Sequence, residues 1–227
     1  MSCFASRNAM VKSVMLDEAT VRKFAAYMKQ FPELYEYLVE IVKRHISSCH
    51  PLILDLGAGP GLLSVKLLQQ IPEAMVVGID PLLQMLRLAK ENVLPSYAHA
   101  FEALQGSSEK IPLKDNIVDG IVSRFSLPYW PQPQESFKEM HRVLKPGGIV
   151  VLEELNKEFP RWKLSLLRLR MRARGAGKKV ADYHVEAYPQ AHTMEQVQQF
   201  FATNGFTILE TEGTRTEWRF IVVAQKT

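Results

Sequence analysis

Between Leu52 and Leu152 the chain alternates short apolar runs with longer amphipathic stretches, and that rhythm fixes most of what it can become. Leu52–Leu56, Met75–Ile79, Phe101–Leu104, Ile117–Val122 and Ile149–Leu152 read as buried strands. Leu62–Ile71, Leu82–Asn92 and roughly Gln134–Leu144 read as the helices between them. Strands alternating with helices imply βαβ units, hence a parallel sheet covered on both faces with right-handed crossovers. The C-terminus breaks the rhythm. Thr193 and Gln196 form a capping-box pair that opens a helix carrying Val197, Phe200 and Phe201 and ending at Gly205. Phe206–Thr211 and Trp218–Ala224 follow with no helix between them, so the sheet should finish in an antiparallel hairpin. The first fifty residues read as a helical cap. One helix is expected over about Asp17–Gln30, and a second opened by Pro32, with Leu34, Tyr37, Leu38, Ile41 and Val42 on its buried face. The expected organisation is a cap over 1–50 and an α/β domain over 51–227, with a lid-like insertion at about 157–192.

Ile53-Leu54-Asp55-Leu56-Gly57-Ala58-Gly59-Pro60-Gly61 carries the most chemistry. A buried strand ends in a loop with glycine at alternate positions and then enters a helix, at the sheet edge where open α/β folds bind ligands. Glycine admits positive φ and lets ligand atoms reach bare backbone. The dinucleotide fingerprint spaces its glycines G-x-G-x-x-G, but here the third comes one residue early and Leu62 stands in its place. No Gly-Lys-Ser/Thr follows, which excludes the phosphate-binding P-loop. About twenty residues on, Val76-Val77-Gly78-Ile79-Asp80 ends a strand in a carboxylate placed to accept from both ribose hydroxyls. Asp80 alone also suits a helix N-cap. Together the two segments point to an adenosine-containing ligand.

Those segments closely resemble the first two motifs of class I S-adenosylmethionine-dependent methyltransferases, D-x-G-x-G-x-G at Asp55–Gly61 and the acidic strand end at Val77–Asp80. Gln105–Leu113 is similar to the family's G-D-A-x-x-L-P-F segment, Val118–Ser123 to F-D-x-V, and His141–Gly148 to R-V-L-K-P-G-G. The five lie in family order over about residues 50–155, with the flavour of the UbiE-like subgroup that mostly methylates small molecules. The resemblance implies a Rossmann-like, doubly wound, mostly parallel seven-stranded sheet and S-adenosyl-L-methionine as cofactor, leaving S-adenosyl-L-homocysteine as product. It assigns Asp55, Gly57, Ala58, Gly59 and Gly61 to the cofactor loop, whose backbone holds the methionine part. Asp80 goes to the ribose, Pro81 and Leu82 to the adenine face, Ser107, Ser108 and Glu109 to the adenine edge, and Ser123 to the floor beneath the sulfonium. Ser107 departs from the family's usual Asp, and a neutral acceptor is weaker there than a charge-assisted one.

No catalytic residue is assigned, because a general base is needed only if the acceptor must lose a proton. Tyr129 and Trp130 suit a flat or cationic substrate or, equally, the core. Strand alternation should turn one of Glu153 and Glu154 into the cleft. His184 is a candidate base and His141 a structural residue of its turn.

The net charge of +4 is local in origin. Arg161, Lys163, Arg168, Arg170, Arg172, Arg174, Lys178 and Lys179 fall in one stretch without an acidic residue, and removing those eight leaves −4 for everything else. That speaks against a generally basic nucleic-acid binder. Leu167–Arg174 alternates like a strand, yet its Leu, Arg, Met and Ala favour helix. A helical lid loosened at Gly175 and Gly177 is expected, its arginines suited to an acidic substrate, RNA, an anionic membrane surface or plain solvent. Three functions stay open: a small-molecule methyltransferase, an RNA or protein methyltransferase gripping its substrate with the basic stretch, and a non-catalytic S-adenosylmethionine-binding protein. Cys3 and Cys49 lack metal-ligand spacing, no apolar run is long enough to span a membrane, and no secretory signal is evident, so the cytoplasm is the expected location.

Overall fold

The computed structural model describes residues 17–227, the side chain of His184 excepted. Seven strands form one sheet in the order β3-β2-β1-β4-β5-β7-β6. They are β1 (Leu52–Leu56), β2 (Met75–Asp80), β3 (Phe101–Gln105), β4 (Val118–Arg124), β5 (Leu144–Leu155), β6 (Phe206–Glu212) and β7 (Arg219–Lys226). The first five pair in parallel, while β7 runs antiparallel to both β5 and β6. The doubly wound sheet and its reversed hairpin are those expected. The order reverses between β1 and β4, and at that switch point the carboxyl ends of the two strands part to leave a crevice.

Eight α-helices flank the sheet among the described residues: α1 (Glu18–Met28), α2 (Pro32–His45), α3 (Leu62–Gln70), α4 (Leu83–Asn92), α5 (Pro133–Val143), α6 (Arg161–Ala173), α7 (Gly177–Ala187) and α8 (Met194–Ala202). One apolar cluster joins α2, α3 and the end of α1 to one sheet face, with Leu38, Ile41, Ile53 and Leu67 fully buried; a second packs α5 and α8 on the other through Phe137, Phe201 and Phe220. The N-terminal helices are thus part of the core. The expected face of α2 needs correction. Tyr35, Leu38, Val39, Ile41 and Val42 are buried, whereas Tyr37 is 40% exposed and its hydroxyl donates to Glu212. The aromatic at position 35 takes the inward place, with the guanidinium of Arg124 over its ring at 4.7 Å. Thr193 and Gln196 complete their capping box.

The basic stretch is helical, as its composition indicated. It forms two helices, with Gly175 and Gly177 both at positive φ in the corner between them. α7 packs back onto α1 across the sheet's carboxyl edge, tied by an edge contact of Phe24 with Tyr183 and by Lys179 against Asp17 at 2.7 Å.

Candidate active site

A cavity of about 780 Å³ opens at the carboxyl ends of β1, β2 and β4, within the roughly 300–1,000 Å³ typical of small-molecule sites. Its floor is the glycine loop and its roof is α1 and α7, through Phe24, Met28, Tyr183 and Glu186.

The loop's amides are already engaged. Gly57 and Ala58 N–H both donate to Ile79 O, at 2.8 and 2.9 Å, and Gly59 N–H donates to Asp80 Oδ2 at 3.0 Å. A loop that holds phosphate aims free N–H groups at it. Here those donors are turned inward, and two buried carboxylates stand behind them. Asp55 accepts from Ser64 Oγ at 2.6 Å, and Asp80 accepts from Gly59 and from Leu82 N–H at 2.9 Å. Burial pushes each carboxyl up to about 6. Such a site disfavours a pyrophosphate and favours a ligand carrying positive charge.

The three glycines do different work. Gly59, at φ +52, has nothing within 4 Å of where a Cβ would stand, and it lines the cavity. Gly57, at φ +79, would drive a Cβ to 2.5 Å from Ser126 Cβ. Ser126 is brought there by Phe125, a non-glycine residue at φ +55 that turns the chain sharply after β4. Gly61 is not in the cavity wall, and its Cβ would meet Ala89 Cβ at 2.8 Å, so it permits the close approach of α3 to α4.

Of the positions assigned by resemblance, Asp55, Gly57, Ala58, Gly59, Asp80, Pro81, Leu82, Ser107, Ser108 and Glu109 line this one cavity. Gly61 and Ser123 do not. Ser123 Oγ is buried one layer below, donating to Leu56 O at 2.7 Å and touching Ser126 Oγ at 2.5 Å, and Ser126 takes the wall position instead. Asp80 is not the N-cap that its position also suited: Leu82 takes that place without a side-chain bond, while Asp80 Oδ1 accepts from Leu82 N–H, and each of its oxygens spends one lone pair on backbone.

Neither Glu153 nor Glu154 enters the cleft. Alternation does send them to opposite faces, but both faces are covered there. Glu153 is enclosed by Arg124 Nε and by Arg219 Nη1 at 2.7 Å. Glu154 lies under the turn after β4, where its Oε1 accepts from Ser126 and Leu127 N–H at 3.0 and 2.9 Å. Burial pushes its carboxyl up to about 8, so it is a neutral prop for that turn at pH 7. His141 packs edge-on to Phe206, in keeping with a structural role. The side chain of His184 lies outside the described residues.

The far half of the cavity is aromatic. Tyr129 stacks on Tyr183, with ring centroids 5.2 Å apart and planes within 6°. Phe125, Trp130, Tyr35 and Phe200 complete that wall, and Lys157, Glu186, Gln190 and His192 stand among the wall's polar side chains. Burial pushes Tyr183 up to about 12 and Tyr129 well above 10, so both phenols stay neutral. Sequence reading missed Tyr183, Glu186 and the α1 side chains, because no local motif marks a residue delivered by a roof helix. None of the eight basic residues of 161–179 lines the cavity.

Residues 54–152 match the family described as a methyltransferase domain. A demethylmenaquinone methyltransferase from Listeria monocytogenes is 32% identical over 113 residues, covering 49% of this chain and 48% of that protein. An arsenite methyltransferase from Halobacterium salinarum is 31% identical over 109 residues, 48% of this chain and 28% of that one. This chain therefore spans about half the length of the first relative and less of the second. A SAM-dependent methyltransferase structure from Aquifex aeolicus matches with a TM-score of 0.67 over 93% of this chain and all of that one, at 21% identity, which concerns the fold. The glycine loop, the strand-end carboxylate and the sheet order agree with the match: residues 54–152 are similar to the methyltransferase domain, on a fold shared with SAM-dependent methyltransferase structures.

Proposed function

We propose that this protein transfers a methyl group from S-adenosyl-L-methionine to a flat, largely apolar small molecule held between the roof helices and the turn after β4. One observation carries the reading: the cavity continues from the Gly59–Asp80 cradle into the aromatic wall around Tyr129 and Tyr183. The open space over Gly59 and the two carboxylates behind the loop fit the cofactor's methionine and ribose portions. Pro81, Leu82 and Met85 supply an apolar face for its base, bordered by Ser107, Ser108 and Glu109. When bound, the cofactor supplies an electrophilic methyl carbon on sulfur, open to in-line attack by an acceptor lone pair. The chain's own contribution is alignment and exclusion of water, and effective concentration of this kind supplies about 7–11 kcal/mol in favourable cases. The neutral Tyr129–Tyr183 pair packs a planar ring and offers a hydroxyl to orient it. Neither phenol serves as base at neutral pH.

The Listeria relative's quinone-type acceptor fits this wall better than arsenite does. Trivalent arsenic seeks thiolates, and among the described residues Cys49 is exposed and outside the cavity. A substrate gripped by the basic stretch has no support in the cavity, since those side chains point elsewhere. We place the activity in the cytoplasm. Calorimetric titration with S-adenosylmethionine, S-adenosylhomocysteine and NAD tests the cofactor. Binding of the first two without NAD is expected, and NAD binding alone would overturn the reading. A screen of hydroxylated quinones and phenols against arsenite and RNA, followed by methyl transfer, then tests the acceptor. Cofactor binding without turnover over the whole panel would leave a non-catalytic binder.

A further inference from the structure

α6 faces solvent along most of its length, and Met171 is its one buried residue. Trp162, Leu166 and Leu169 are 66%, 53% and 65% exposed. Their spacing of four and three residues sets them on a single stripe of the helix surface. Lys163 and Arg170 flank the stripe on one side, Arg161 and Arg172 on the other, and no acidic residue occurs from 161 to 181. Arg168 and Arg172 reach Asp182 on α7, whereas Arg161, Arg170 and Lys178 have no ion-pair partner among the described residues. Three large apolar side chains side by side in water are costly and mark a surface that something covers.

We propose that α6 docks on an anionic phospholipid bilayer. The Trp162–Leu166–Leu169 stripe enters the boundary between headgroups and acyl chains, and the basic rows on either side meet the lipid phosphates. An apolar stripe bounded on both sides by cations is the pattern that lies in a membrane interface. RNA satisfies the cations and can stack on Trp162, but it gives the two leucines nothing to bury against. No helix among the described residues is long and apolar enough to cross a membrane, so the contact is peripheral. α6 packs against α7, whose Tyr183 and Glu186 roof the cavity. Docking therefore brings the roof to the bilayer, where an apolar acceptor is concentrated. That last step rests on the small-molecule reading, while the docking does not.

The test is co-sedimentation of the full chain, without cofactor, with vesicles of phosphatidylcholine alone or mixed with phosphatidylglycerol. Binding to the mixed vesicles should be roughly tenfold tighter or more and should weaken with added salt. Leu166→Glu with Leu169→Glu should abolish it while the thermal midpoint holds, because both side chains are exposed. Arg161→Glu with Arg170→Glu should remove the preference for phosphatidylglycerol. No binding to the mixed vesicles at low salt overturns the proposal, as does binding indifferent to the two leucines. Tight binding to an RNA oligonucleotide with none to vesicles gives the cations to nucleic acid instead, and a dimer dissolved by Leu166→Glu gives the stripe to a second copy; either outcome overturns it. Methyl transfer and cofactor titration are separate readouts, so their failure leaves the docking standing, and the reverse holds.

Discussion

Replacing Gly61 and Gly59 by alanine, one at a time, should separate folding from binding within a single turn of chain. At Gly61 the new methyl would lie 2.8 Å from Ala89 Cβ and 3.0 Å from Ala89 Cα, on a backbone at φ +73. Left-handed backbone costs a residue with a side chain about 1–2 kcal/mol, and forcing a methyl into a packed helix contact adds about 1–3 kcal/mol. A total of about 3 kcal/mol should lower the thermal midpoint by roughly 6–12 °C in a chain of this size. At Gly59 only the backbone cost applies, about 1 kcal/mol, because nothing stands within 4 Å. Its methyl, however, occupies the space assigned to the cofactor. Gly59→Ala should therefore melt within roughly 2–4 °C of the parent yet bind S-adenosylhomocysteine at least about tenfold more weakly. Differential scanning fluorimetry and calorimetric titration on the same preparations read both quantities. Parent affinity in Gly59→Ala, or a Gly61→Ala protein as stable as the parent, would refute the division of labour.

Three further outcomes are expected. Asp80 titrates near 6 in the free protein and should hold the cofactor ionised, so affinity should be level above that pH and fall below it, approaching tenfold per unit. An affinity unchanged from pH 8 to 5 removes the carboxylate from the site, and Asp80→Asn should flatten the curve. Glu154 is raised from 4.5 to about 8 by burial, so its protonated form stabilises the fold at low pH and that contribution is lost as pH rises through 8. Glu154→Gln should gain stability relative to the parent between pH 4.5 and 8 in urea titrations and run parallel above; a constant difference throughout contradicts this. Tyr183→Ala should lower kcat/KM for the acceptor with cofactor affinity nearly kept, and equal losses of both would move Tyr183 out of the acceptor half.

The sheet was legible because buried parallel strands leave period-breaking apolar runs, and because a hairpin needs no helix between its strands. The loop and Asp80 were legible for a similar reason, since each is a short, local segment at a strand end. Ser123 shows where that stops. Its motif ends at the right strand tip, but the sharp turn at Phe125 puts Ser126 over Gly57, and only the backbone path reveals it. Several family-like motif residues prove to be fasteners far from chemistry: the Asp119 carboxylate accepts from Leu52 N–H and Lys145, and Arg142 donates to Ile111 O and Leu113 O. The expectation that one of Glu153 and Glu154 would enter the cleft failed because alternation gives a face, while what covers that face is set by distant arginines and a loop. The roof was illegible, as contact between residues near 24 and 183 leaves no periodic trace.

The engaged amides of the glycine loop also settle when its ordering cost is met. Holding one residue in a single backbone well costs about 1–2 kcal/mol of chain entropy. Because Gly57, Ala58 and Gly59 are tied to Ile79 and Asp80 before any ligand arrives, folding bears that cost and association does not. The roof is held more loosely: α1 reaches the floor through exposed side chains of α4, Arg22 with Glu91 at 2.9 Å and Lys29 Nζ with Asn92 Oδ1 at 2.7 Å, rather than through backbone. Cofactor affinity should accordingly reflect the floor, while rates of entry and release should reflect the roof.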